Sequence, residues 1–334
     1  MKMDRREFVV SGAAAAVGLA GCAAWPAKTR EEVVREVKFI DVHAHCFEEL
    51  QPPVKGIVPF CTDREVLALY DRLDVACGCL LGLGQPEAYI GGMSVESLLR
   101  ISAAHPDRFI PGCYIDPRCC GDSPHTRFDV ILGYYADRGC RILGEFMPNL
   151  PILDARVQAM MAAAEEVGLP VTFDMAPDCS HSRYGIADEP GLPGLELTLR
   201  RFPKLKVIGH SQAFWVELSA YEGRDIRLGY PKGPVRKEGR IAELMRRYPN
   251  LHADLSAGSG LNAITRDPGY ACAFLTEFQD RLLFGLDNCV PHPTDAQVGQ
   301  VATLRKYFLE GGISETAFRK IAYGNAIRLL HLPV

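Results

Sequence analysis

The stretch FIDVHAHCF, residues 39 to 47, carries the first decision about this chain. Phe39, Ile40 and Val42 make an apolar β-run, and His43 and His45 stand two apart at its end. Residues i and i+2 of a strand face the same side, so the two imidazoles point together. Two neutral imidazoles so placed suit a divalent cation at about 2.0–2.1 Å each. The plainer alternative is a pair of solvated or hydrogen-bonded histidines, and the surrounding chain decides between the two.

Outward from this stretch a rhythm sets in. Short apolar or β-branched runs fall at 37–43, 75–81, 109–115, 140–147, 170–174, 205–210, 250–255 and 281–287. Segments of helical period lie between them, at 63–72, 95–105, 128–137, 154–167, 195–202, 237–248 and 270–279, with two more at 295–308 and 314–330. Strands alternating with helices imply parallel pairing. Eight such units fit an α/β fold of the (β/α)8 TIM-barrel type, which takes about 250 residues. A doubly wound sheet is the alternative, but no G-x-G-x-x-G follows the first run, so a dinucleotide fold has little support. Two stretches after strands, 176–194 and 211–236, are long and rich in Gly, Pro and aromatics. In a barrel they belong to the face where chemistry occurs.

On that face further groups collect. RLLFGLDNCVP ends the eighth strand in Asp287, beside the first strand once the barrel closes, as a metal ligand or base. KLKVIGHSQAFW ends the sixth in His210, which shares the rim with the histidine pair and is expected to act as general acid/base or to serve a second metal. GLPVTFDMAPD places Asp174 on the fifth strand, and RILGEFMPN places Glu145 on the fourth. Carboxylates at the ends of apolar barrel strands read as functional, and Glu145 is expected to contact substrate. Tyr184 and Trp215, with Phe214 and Tyr230, are candidates to line a substrate pocket or to pack the loops. Arg183, Arg224 and Arg227 are candidates to bind a substrate carboxylate.

D-x-H-x-H on the first strand, G-H after the sixth and F-G-x-D on the eighth resemble the amidohydrolase superfamily over about residues 37 to 331. Within it, the chain is similar to the amidohydrolase-related branch that includes aminocarboxymuconate-semialdehyde decarboxylase and related metal-dependent hydrolases. That resemblance implies a metal, commonly zinc, on His43, His45 and Asp287, with His210 as the acid/base acting on a metal-activated water or on the substrate. The chain departs from the family at the fifth strand, where Asp174 occupies the place of a metal-binding histidine. A carboxylate is a competent zinc or manganese ligand, so Asp174 is expected in the metal set, with His181 in the following loop as a substitute. The expected activity is hydrolysis of a small molecule. Non-oxidative decarboxylation of a small carboxylic acid is the alternative, and a non-catalytic binding lipoprotein the second alternative.

The chain of 334 residues is 48% hydrophobic, ample for one large core, and its near-balanced net charge of -4, with no basic stripe in the sequence, argues against nucleic acid as a partner. Residues 1–22, MKMDRREFVVSGAAAAVGLAGC, join an Arg5-Arg6 pair, a short apolar stretch and a Leu-Ala-Gly-Cys ending. They resemble a Tat-type lipoprotein signal, which implies export, lipidation of Cys22 and anchoring to the membrane at the cell envelope. Residues 23–36 read as a tether, and 37–334 as the barrel. The twelve cysteines hold no C-x-x-C, so no zinc ribbon is expected and disulfides stay open. Cys113, Cys140 and Cys272 read as buried thiols. A homodimer is a possible assembly of such barrels.

Overall fold

A computed structural model describes residues 28–49, 60–87, 93–179, 184–220 and 225–332. The signal with Cys22, and His181, Arg183 and Arg224, lie outside the described residues.

The described strands are β1 (Phe39–Ala44), β2 (Val75–Leu80), β3 (Phe109–Pro111), β4 (Leu143–Phe146), β5 (Pro148–Pro151), β6 (Val171–Ala176), β7 (Gly185–Ala187), β8 (Val207–His210), β9 (Leu251–Asp254) and β10 (Leu282–Leu283). All except β5 and β7 coincide with the predicted barrel strands. Neighbours β1–β2–β3 and β4–β6–β8–β9–β10 pair in parallel. A parallel bridge from Cys113 to Leu143 joins β3 to β4. The ring closes where Val42 N–H donates to Phe284 O (3.1 Å) and Asp287 N–H donates to His43 O (2.8 Å). The fold is a (β/α)8 barrel. The short β5 and β7 pair with each other and with the end of β6, in the loop region above the barrel.

Two apolar layers follow from the alternation of strand side chains. Phe39, Val171, Phe173, Leu251 and Ala253 face the surrounding helices in the larger cluster. Ile40, Val42, Cys79, Leu81, Ile142, Ile208 and Leu283 form a second cluster with Ala326, Leu329 and Leu330. Strands from opposite walls meet only through the barrel interior, so this second cluster is its filling, capped by the C-terminal helix. The helices are amphipathic in the ordinary way: Arg240–Arg247 buries Ile241, Ala242, Leu244 and Met245 and leaves Arg246 and Arg247 outside.

The predicted tether contains a helix, Arg30–Glu36. Thr29 and Glu32 close a capping box, Glu32 N–H donating to Thr29 Oγ1 (3.2 Å) and Thr29 N–H to Glu32 Oε2 (2.7 Å). Val33 is buried, and the Arg30 guanidinium lies 4.8 Å over the Phe308 ring. Residues 28–36 are therefore docked on the barrel wall, because one turn of helix has an apolar residue to bury. A further helix that periodicity did not suggest, Ala257–Thr265, follows β9.

Candidate metal centre

At the carboxyl ends of the strands the interior turns from apolar to ionisable. β1 makes this turn through an irregularity. Asp41 is level with Gly78 and Ala44 with Leu80, so β1 holds one residue more than β2 in that interval. The extra residue lets both Val42 and His43 face inward, Val42 into the barrel filling and His43 into the site, as β-bulges do. Asp41, between the inward residues Ile40 and Val42, ties the strands together. Its Oδ1 accepts from His43 N–H and Leu286 N–H (2.9 Å each), and its Oδ2 from the Tyr70 hydroxyl (2.8 Å). Burial pushes its pKa up to about 7 despite these donors.

The three histidines share one arrangement. His43 Nδ1 lies 2.6 Å from Asp254 Oδ2, His45 Nδ1 lies 3.1 Å from the Leu81 carbonyl, and His210 Nδ1 lies 3.1 Å from Ser256 Oγ. Ser256 Oγ donates onward to Asp254 Oδ2 (2.8 Å). A carboxylate or carbonyl can only accept, so each Nδ1 carries the proton and each Nε2 offers a bare lone pair to the cleft. The Nε2 atoms of His43 and His45 are 3.1 Å apart. A proton on one of them, or a cation beside both, accommodates that approach.

Two carboxylates complete the ring. Glu145 Oε2 is 3.4 Å from His43 Nε2 and 3.3 Å from His45 Nε2, while Asp287 Oδ1 is 3.7 Å and 3.4 Å from the same atoms. Four ligands at about 2.0–2.1 Å around a tetrahedral ion stand about 3.3–3.4 Å from one another. His43, His45, Glu145 and Asp287 thus fit a divalent metal by donor type and by spacing. Burial opposes protonation of His43, yet Asp287, Glu145 and Asp254 outweigh it and hold its pKa well above the usual value. Burial likewise opposes ionisation of Glu145, but His43 and His45 hold its pKa at about 2. The carboxylates favour positive charge here, which a divalent ion held between them would supply.

The motif glycines have steric causes. A Cβ on Gly285 would stand 2.5 Å from Asp254 Oδ1 and 2.8 Å from Ser256 Cβ, and one on Gly209 would enter the Phe214 ring at 2.3 Å. Asp287 follows in a left-handed turn, φ 48°, a conformation Asp accepts better than most residues.

The structure places the other predicted residues as follows. Glu145, expected to contact substrate, has both oxygens turned to imidazoles and joins the His43–His45–Asp287 set. Asp174, expected in that set, groups instead with Glu145 and His210, their donor atoms lying within 4.8 Å of one another. Trp215 is buried, packs on Phe214 and Phe274, and donates Nε1–H to Asp254 O (3.0 Å), so it supports the site from behind. Tyr184 is half-buried beside β7, and Tyr230 is exposed. Arg227 is buried, with its guanidinium donating to the carbonyls of Asp188 (2.6 Å) and Pro177 (3.3 Å), which pins the loops in place of binding a substrate. The described cysteines are free thiols, and Cys289 Sγ lies 3.6 Å from Asp287 Oδ1. Sequence reasoning missed Asp254 and Ser256, although LHADLS, like FGLD, ends a strand in a carboxylate.

A family model described as Amidohydrolase matches residues 40–332. No curated protein matches the chain. Among solved structures it is similar to an uncharacterized Tim-barrel protein from Bordetella bronchiseptica (20% identity, 88% of this chain and 99% of that one, TM-score 0.56). It is also similar to a probable 2-pyrone-4,6-dicarboxylic acid hydrolase from Acinetobacter baumannii (14%, 89% and 100%, TM-score 0.54). A third is 5-carboxyvanillate decarboxylase from Sphingomonas paucimobilis (16%, 89% and 99%, TM-score 0.52). At these identities the likeness is one of fold.

Proposed function

The chain belongs to the amidohydrolase family, and from that premise we propose that it is a metal-dependent hydrolase of a small molecule. The observation that carries the proposal is the convergence of the His43 and His45 Nε2 lone pairs with Glu145 Oε2 and Asp287 Oδ1 at 3.1–3.7 Å. A divalent ion held by these four residues would lower the pKa of water or polarise a substrate oxygen. Two imidazoles with two carboxylates suit zinc, with manganese the second choice.

His210 is the acid/base in this proposal. Its Nε2 lies 3.5 Å from Asp287 Oδ2 and 3.7 Å from Glu145 Oε1, on the cleft side of the first set. Ser256 anchors its Nδ1, so proton exchange is confined to Nε2, where a reacting group enters. Asp287 Oδ2 is the neighbouring acceptor for that proton. Asp254 orients His43 directly and His210 through Ser256. Tyr184 is retained as a substrate contact.

Decarboxylation on the same residues is the second reading, since similar barrels include a decarboxylase as well as a hydrolase. The test is a screen of the metal-loaded protein against neutral lactones and amides and against aromatic carboxylic acids. New acid from the neutral substrates, lost in His210→Asn, is the expected result. Carbon dioxide release from the acids would overturn hydrolysis in favour of decarboxylation. The proposal extends to export and lipid anchoring, for which Cys22→Ser should abolish fatty-acid labelling.

A further inference from the structure

The helix Arg30–Glu36 fixes where the chain joins the barrel, and it joins at the amino ends of the strands. Glu36 ends the helix three residues before Phe39, the first residue of β1. The other end of the helix is held at the same level. The Arg30 guanidinium donates to Phe308 O and lies 4.8 Å over the Phe308 ring. Phe308 stacks on Phe318 at 4.8 Å, and Phe318 meets Phe39 edge-on at 5.8 Å. Helix Gln300–Leu309, which carries Phe308, descends the wall from the opposite end. Gln300 Nε2–H donates to Ala257 O (2.9 Å), beyond the carboxyl end of β9, and Phe308 lies about 12 Å further along the helix. Arg305, near the same lower end, donates to Asp74 Oδ2 (2.8 Å), immediately before β2.

Lys28 is six residues from Cys22, and six residues at full extension reach about 20–22 Å. The candidate metal centre lies at the far end of the barrel. From Phe39 to His45 the chain climbs about 20 Å along the strand, or about 16 Å of height at a barrel tilt of about 36°. The loops carrying β5 and β7 lie above that and add one packed layer, about 10 Å. A tether that starts at the amino ends would need about 26 Å to pass the mouth, and it is too short. We infer that Cys22, once lipidated, holds the barrel with the amino ends of its strands toward the bilayer and its mouth open to the aqueous side, so that the substrate is a water-soluble molecule and not a lipid drawn from the membrane. The orientation rests on reading residues 1–22 as a lipoprotein signal, and the substrate class rests also on the hydrolase reading.

The wall brought to the membrane is residues 28–38 with the lower end of helix Gln300–Leu309, and its composition suits a lipid surface. Leu309 is 40% exposed directly after Phe308, and Lys306 is exposed one turn before it. An exposed leucine beside a lysine places an apolar side chain at the headgroups and a cation beside lipid phosphate. Trp25 stands three residues after Cys22. Tryptophan favours the headgroup level, which shortens the free part of the tether further.

The test is hydrogen–deuterium exchange of the mature lipidated protein on vesicles of phosphatidylethanolamine and phosphatidylglycerol. The comparison is the same protein with about twenty Gly-Ser residues inserted after Ala27, which stays anchored but turns freely. Slower exchange over 28–38 and 306–314 with the natural tether, and equal exchange at 60–62, 85–87, 148–151 and 184–188, is the expected result. Protection of the second group of segments, or no difference between the two tethers, would overturn the orientation. A Cys22 that takes no fatty acid would overturn the lipoprotein reading and this inference with it, and would leave the hydrolase reading standing. Equal turnover of a soluble substrate by both proteins is expected. The expected exchange pattern in a protein that cleaves only vesicle lipid, or no soluble substrate, would overturn the substrate class and leave the orientation standing.

Discussion

Asp254→Asn isolates the second layer of the centre without touching a metal-facing atom. Asp254 Oδ1 accepts the Ser256 backbone N–H at 2.8 Å, and Oδ2 accepts from His43 Nδ1–H at 2.6 Å and from Ser256 Oγ–H at 2.8 Å. The backbone donor cannot move, so the asparagine oxygen must keep the Oδ1 place and its NH2 must take that of Oδ2. A donor then meets the His43 Nδ1–H. His43 relieves the conflict by moving its proton to Nε2, which removes the lone pair aimed at the ion. Losing a metal-orienting carboxylate ordinarily costs about 10–100-fold in affinity, and the forced tautomer puts this variant at the upper end, about 2.8 kcal/mol or more. Competition with a chromophoric chelator for zinc or manganese measures the affinity, with circular dichroism confirming the fold. Metal affinity within about threefold of the wild type in a folded Asp254→Asn protein would refute the tautomer argument, since tenfold is already about 1.4 kcal/mol.

Gly285→Ala places a methyl 2.5 Å from Asp254 Oδ1; it is expected to lose about 1–3 kcal/mol of stability and most metal affinity, read by thermal unfolding and dialysis. Burial pushes the pKa of His252 down to about 3 against about 6.5 unfolded. The folded state holds it neutral, so its stability contribution is complete above about pH 6.5 and falls as acid protonates the unfolded chain. Urea unfolding should show a pH 7 to pH 5 loss about 2 kcal/mol smaller in His252→Leu than in the wild type. Val33→Ala should lower stability by about 1–2 kcal/mol, seen as a lower urea midpoint, because the helix Arg30–Glu36 is docked on the barrel; an unchanged midpoint would restore residues 28–36 to the role of a tether.

The barrel was legible because its periodicities are strong and its strands are bounded by Gly, Pro and charged residues. His43, His45, His210 and Asp287 stood out because each ends an apolar run, where a titratable group has no structural excuse. Asp254 ends such a run too, but the run is short and is interrupted by His252, which the structure buries. Glu145 and Asp174 were legible as functional groups, but not which neighbours each would face. A one-dimensional pattern gives the end of a strand and not the direction of a carboxylate, and only the closed ring shows Glu145 between the histidines. The extra residue in β1 was equally hidden. Strict alternation from Ile40 and Val42 would turn His43 out of the barrel, and the irregularity that returns it has no signature in FIDVHAHCF. The capping box of Thr29 and Glu32 was present in the sequence, but its helix buries a single residue, too little to register as a period.

The most direct measurement is the metal content of the purified protein lacking its first 27 residues, determined by elemental analysis beside His43→Ala and His45→Ala. The account predicts at least one equivalent of zinc or manganese per chain in the parent and loss of the first-set ion in both variants, with the barrel still folded. A folded parent that binds no divalent metal after loading at neutral pH would contradict it.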